Sequence, residues 1–257
     1  MNIVVLTNKN SNFGKKVLNR FILDDLQANA VVVIKQPPNY NWKLFNSVKK
    51  RVGIWDALCF SIEKMFQGEK YTRDEKPITT DYSKLAQQVF FTHGTNTLQT
   101  INILKMLNPD ILILGQTGIV KKEILEIPKL GTLNAHPGIL PFYRGIDCWK
   151  WAVYNNEFDK IGCSVHWVDT GVDTGSIIAV KRNDIASQDF ACIENMLYDN
   201  CILLLSNVLQ RLKTSYIEGT KQEKETGKQY YKMSKKLEKT VKDKLKNIAV
   251  KTDRKKI

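Results

Sequence analysis

The chain has 257 residues, 43% of them hydrophobic and 25% charged, enough for a sizeable core that needs no metal or disulfide staple. No apolar run approaches the roughly 18 residues of a membrane span, and no basic segment precedes the short apolar run of MNIVVLTNKN, so neither a span nor a signal peptide is expected. The net charge of +13 is uneven: from Arg211 to Ile257 sixteen Lys and Arg face six Asp and Glu, so +10 belongs to a basic tail and not to the body.

Asn2–Leu6 is a continuous apolar run, followed by a polar loop over Thr7–Gly14, apolar residues at helical spacing over Lys15–Leu26, and the β-branched run Ala30–Ile34. Strands of this kind are buried on both faces by helices. Pro37–Pro77 is less regular, with one predicted helix over Ile54–Phe66. The alternation then resumes: strand Val89–Thr92, helix Thr97–Leu107, strand Asp110–Gly115, helix Val120–Ile127 and strand Gly131–Ala135. After a helix at Trp149–Asn155 come strands Gly162–Val168 and Gly175–Val180 and a long helix over Ile193–Leu212. This order predicts an open, mostly parallel twisted sheet with helices on both faces, a Rossmann-like α/β fold over residues 1–212. Residues 213–257 form an extension: a polar loop over Ser215–Lys228, then an amphipathic helix over Ser234–Ile248. Leu237, Val241, Leu245 and Ile248 share its apolar face, Ser234 is its N-cap, and Lys251–Ile257 should fray. Five scattered cysteines, Cys59, Cys148, Cys163, Cys192 and Cys201, include no C-x-x-C pair, which fits idle thiols of a cytoplasmic protein with no metal site.

The densest stretch is LNAHPGILPFYRG, Leu133–Gly145, at the carboxyl end of a predicted buried strand. In open α/β sheets ligands bind at that edge. Asn134 and His136 are two apart and so share a strand face. An amide donor beside an imidazole suits a developing oxyanion on a carbonyl. Downstream, VHWVDTGVDTG, Val165–Gly175, offers Asp169 and Asp173 on a Gly-rich turn between strands; either could charge-stabilise His136 and take a proton from an amine. His166, beside Trp167 in mid-strand, reads as a packed structural histidine. Arg144 reads either as a contact for a phosphate or carboxylate or as an exposed turn residue.

The two motifs together, NAHPGILPFYRG and SVHWVDTGVDTGSII, resemble the signature of folate-dependent formyltransferases, and the resemblance extends over roughly Met1 to Leu212. It implies transfer of a formyl group from 10-formyltetrahydrofolate to a primary amine. By position it implies Asn134 and His136 as binders of the formyl oxygen, and Asp173, which begins Asp-Thr-Gly, as the partner of His136. It implies that the pterin lies against Leu114, Gly115, Gln116, Thr117 and Gly118, reached by backbone groups, and that Tyr143 and Arg144 sit on the substrate side. Several amines fit. Methionyl-tRNA formyltransferases carry a C-terminal β-barrel, for which the remaining 45 or so residues are too few. Glycinamide ribonucleotide transformylases have a Gly-rich loop after the first strand, whereas Thr7–Gly14 here is Asn-rich with one Gly. An amino sugar on a nucleotide is what elimination leaves, with Tyr230 and Tyr231 in an appended piece, and a homodimer is compatible with it. A basic nucleic-acid-binding module is the non-enzymatic alternative; the tail shows no Arg clustering to favour it.

Overall fold

A computed structural model describes residues 1–9, 11–35, 81–185, 187–223 and 225–253, the last six by backbone alone. Strand β1 (Ile3–Asn8) turns alternate side chains into two different cores. Ile3 and Val5 meet Phe13, Val17 and Phe21 on one side, while Val4 and Leu6 meet Leu104 and Ile124 on the other. Burial on both faces is why β2 (Ala30–Ile34) is an unbroken apolar run.

β3 (Gln88–Thr92), β4 (Ile111–Gly115) and β5 (Gly131–His136) complete the parallel part. β7 (Gly162–Trp167) and β8 (Ile177–Arg182) are added antiparallel at one edge. The order is β3-β2-β1-β4-β5-β7-β8, an open and mostly parallel sheet as expected. Helix α1 (Asn12–Leu23) packs on one face and α2 (Leu98–Leu107) and α3 (Lys122–Leu125) on the other. Of the later helices, α4 is Cys148–Tyr154 and α5 is Phe190–Leu212, the latter returning to the α1 face through Cys201, Leu205 and Leu209.

The loop after β1 is shorter than the sequence suggests. α1 starts at Asn12 because Ser11 caps it, its Oγ accepting from Gly14 N at 2.9 Å. The single Gly of that loop is a packing residue: a Cβ on Gly14 would stand 2.1 Å from Thr7 Oγ1, so only glycine lets the helix approach the strand.

The extension does not hang free. Tyr216 stacks on Trp167 with ring centroids 5.7 Å apart, and Thr220 exchanges backbone hydrogen bonds with Ile177 at 2.7 and 2.8 Å. A strand that periodicity does not reveal, β9 (Lys228–Tyr230), pairs in parallel with β6 (Tyr143–Gly145). The final helix α6 (Lys235–Asp253) then folds back on its own chain. Val241 and Leu245 are buried beside Trp149, Val153 and Leu197, with Leu237 packed against them. Ser234 Oγ accepts from Leu237 N, as an N-cap does. The helix runs on through Lys251 to Asp253, where fraying was expected. The expected helix Ile54–Phe66, with Cys59, lies outside the described residues, as does the side chain of Ile248. Among the described residues no helix is long and apolar enough to cross a membrane.

Candidate active site

Strand β5 carries Leu133 and Ala135 into the α1–α5 core and turns Asn134 and His136 to the opposite face. The antiparallel pairing of β5 with β7 sets Asn134 directly opposite His166. A register shift between Val165 and His166 interrupts the β7–β8 ladder at that point. The connection between β7 and β8 doubles back so that Asp173 reaches all three side chains. Its Oδ2 lies 3.4 Å from His136 Nδ1 and accepts from Gly145 N at 2.9 Å, and its Oδ1 lies 3.5 Å from His166 Nε2 and from Asn134 Nδ2. Asp173 itself has a φ of +54, the left-handed region that a non-glycine residue occupies only where its surroundings impose it.

Hydrogen-bond chemistry assigns the tautomers. His136 Nε2 is 2.9 Å from Tyr143 O, and a carbonyl only accepts, so Nε2 carries the hydrogen. In the neutral ring Nδ1 is then bare and faces the carboxylate. His166 Nδ1 donates to Trp167 O at 2.7 Å, leaving its Nε2 to accept from Asn134 Nδ2 at 3.3 Å. Burial pushes the His136 pKa down, which the charge of Asp173 only partly opposes, so the ring is neutral near pH 7. Burial would raise the Asp173 carboxyl, yet His136, His166 and the Gly145 N–H hold it far below the usual carboxylate range.

Asp169, the competing carboxylate, is exposed and spent on its own turn, accepting from Gly171 N at 3.0 Å and Thr174 Oγ1 at 2.6 Å. His166 is the residue the sequence reading undervalued. It is buried, as a packed histidine should be, but it also bonds Asn134 and lies 3.5 Å from Asp173 Oδ1. The strand pattern marks β7 but neither its direction nor its register against β5, which together set position 166 opposite Asn134.

Tyr143 and Arg144 are corrections. Tyr143 is 1% exposed, bonded to Glu157, and stacked on Tyr230 at 4.8 Å. Its contribution to the site is its backbone carbonyl. Arg144 is 8% exposed and turned inward onto the extension, with Nε and Nη2 at 3.1 and 3.0 Å from Gln222 Oε1 and Nη2 at 3.0 Å from Thr226 O. Both side chains follow β6 into its pairing with β9 and are turned onto the extension and the α4 core. Tyr230 likewise sits between Tyr143 and Trp151 and is a core residue.

A profile of the formyl transferase family matches residues 1–196. The chain belongs to that family. Methionyl-tRNA formyltransferase of Clostridioides difficile is 46% identical over 79 residues, 30% of this chain and 25% of that protein. Across several such enzymes the matched stretches span a quarter to a half of the relative's length. A sugar N-formyltransferase of a Shewanella species has the same fold, with a TM-score of 0.57 at 13% identity, over 95% of this chain and 88% of that one. The N-formyltransferase of Helicobacter canadensis, solved with folinic acid and dTDP-3-aminofucose, gives 0.55 at 19% identity over 90% and 71%.

In this chain the segment Leu114–Gly118 lies where the loops after β1 and β4 meet, the switch point of the sheet order. Asn8 Nδ2 donates to Gln116 O, and Ser11 Oγ donates to Gln116 Oε1 at 3.1 Å. Gln116 and Gly118 both have positive φ, which turns their peptide groups out of the helical and strand directions, and Thr117 O accepts from Thr95 Oγ1 at 2.8 Å. Among the described residues no group of His, Cys, Asp and Glu is arranged to hold a metal.

Proposed function

We propose that this chain transfers a formyl group from 10-formyltetrahydrofolate to a primary amine, an amino sugar on a nucleotide being the first candidate. The observation that carries the reading is the convergence of Asn134, His136 and Asp173, two motifs and 39 residues of sequence apart, within hydrogen-bond reach. The amine nitrogen attacks the formyl carbon, and the carbonyl oxygen becomes an oxyanion toward which the Asn134 amide donates. The bare Nδ1 of His136 takes the amine proton, and Asp173 stabilises the imidazolium so formed. Collapse of the adduct breaks the bond from the formyl carbon to N10, and the ring returns its proton to that nitrogen. The products are a formamide and tetrahydrofolate. The backbone groups of Leu114–Gly118 offer the pterin donors and acceptors at the switch point.

Two observations support an amino sugar. The extension is covered in the likeness to the Shewanella enzyme, and the Helicobacter canadensis enzyme was solved with an aminodeoxy sugar nucleotide. The second reading, a transfer-RNA-linked amine, is favoured by the 46% identity over 79 residues with a methionyl-tRNA formyltransferase. One assay separates them: the protein is incubated with 10-formyltetrahydrofolate and either amino-sugar nucleotides or methionyl-tRNA, and tetrahydrofolate and new amide are followed. Amide with the sugar nucleotides alone is expected. Amide on methionyl-tRNA alone reverses the order, and folate turnover without any amide overturns transfer altogether.

A further inference from the structure

The extension meets the catalytic pair at one side chain. Gln222 Nε2 donates to Asp173 O at 2.9 Å and to Gly175 O at 2.7 Å, while its Oε1 accepts from Arg144 Nε and Nη2. Two carbonyls can only accept and a guanidinium can only donate, so the amide has one orientation in which every bond is made. On one side Gln222 grips the backbone of the residue held at positive φ. On the other it grips the middle residue of β6, whose neighbours touch the same pair: Tyr143 O holds His136 Nε2, and Gly145 N holds Asp173 Oδ2. Gly145 can do so only as glycine, since at its φ of +96 a Cβ would lie 2.1 Å from Tyr230 O.

We propose that Gln222 is a positioning residue for Asp173, and that the C-terminal extension, through it, sets the geometry of the proposed His136–Asp173 pair. This rests on the reading of those two residues given under Proposed function. The β6–β9 pairing and the Thr220–Ile177 bridge bracket Gln222 and hold it to its register. The β7–β8 turn alone has no comparable anchor for Asp173, because the other carboxylate of that turn, Asp169, bonds only within it. Displacement of a reacting group by about 1 Å can cost up to roughly 100-fold in rate, so a lost anchor is felt in turnover before it is felt in binding.

The test uses the full chain and two variants. Gln222→Met keeps the length and removes every hydrogen bond; Gln222→Glu keeps an acceptor for Arg144 and removes both donors to the carbonyls. The measurements are kcat and KM for formyl transfer, and the titration of His136 by NMR, assigned by difference with His136→Asn. Asp173, His166 and Cys148 are the groups that face that ring. Both variants should lower kcat by about 10- to 100-fold with KM changed less than about threefold. In Gln222→Met the His136 midpoint should move further down as the Asp173 charge recedes from it. The carboxylate that Gln222→Glu adds beside Asp173 acts in the opposite direction, so that variant is read by kcat and KM. Unchanged kcat and an unmoved midpoint would overturn the proposal, as would a loss confined to KM or melting temperature. If Gln222→Met does not fold, Gln222→Glu decides alone. A wild-type protein that formylates no amine sinks the proposed function instead, and the His136 midpoint then still decides the role of Gln222.

Discussion

Two buried charge clusters, one centred on Lys150 and one on Asp173, are built in opposite ways. At Lys150 one cation, 4% exposed, meets three carboxylates: Glu238 at 2.9 Å, Glu194 at 3.3 Å and Asp147 at 3.4 Å. Burial alone would depress its pKa, but Asp147, Glu194 and Glu238 more than reverse that, so the ammonium stays charged. Its carboxylates come from the N-cap of α4, from α5 and from α6, and it donates to Glu238 Oε1. At Asp173 one carboxylate meets two imidazoles, and in the neutral state each ring turns a bare nitrogen toward it. The first cluster is saturated and serves as a joint between helices. The second sets bare imidazole nitrogens against a carboxylate, the kind of place a proton can occupy. Burial and charge together do not mark a reactive centre; an unsatisfied valence facing a charge does.

The largest expected effect lies at the joint. Lys150→Ala removes the cation that Glu194 and Glu238 share, leaving Asp147 with Lys232 at 3.5 Å, and should cost about 3–5 kcal/mol of stability, read by denaturant unfolding. Its turnover per folded molecule should stay near wild type. A stable Lys150→Ala that has lost formyl transfer would collapse the contrast between the clusters.

The reciprocal case is His136→Ala, which should cost about 10²–10³ in turnover with little change in melting temperature. Asp173→Asn should likewise stop turnover while sparing the fold. Near-wild-type rates from either variant would remove the assignment.

The pH profile sharpens the comparison further. His136 titrates below its ordinary 6.5 because it is buried, so the acid limb of kcat/KM should fall below pH 6.5 while Asp173 remains ionised throughout. On the stability side, the unfolded chain takes up the histidine proton first as pH drops below 6.5. The contribution of this group to native stability is therefore present above that pH and lost as pH falls through the folded value. The Asp173 contribution is present above 3.8, the ordinary carboxyl value, and lost only in stronger acid. An acid limb above pH 6.5 would mean that charge wins over burial at His136.

The smallest effect belongs to Asp169→Asn. An asparagine oxygen still accepts from Gly171 N and Thr174 Oγ1, so stability should change by no more than about 0.5 kcal/mol. Turnover should likewise hold. Equal losses at Asp169 and Asp173 would make the turn as a whole, and not one carboxylate, the functional unit.

The sequence by itself determined the parallel core and the two motifs that carry chemistry. Apolar runs such as Ala30–Ile34 follow from burial on both faces, and two-residue spacing is enough to place Asn134 and His136 on one face. The apolar line of Val241 and Leu245 likewise foretold a helix that docks, because such a line has no other use in water. What only the tertiary structure decided were the contacts between residues far apart in the chain. No local pattern says that β7 runs antiparallel to β5, and so none brings His166 to Asp173. None says that three residues after a polar loop will pair with Tyr143–Gly145, or that this pairing will bury Tyr143 and Arg144. Periodicity records which face of an element is buried. The partner of a polar side chain is set by the path of the chain between them, which here runs 78 residues from Arg144 to Gln222.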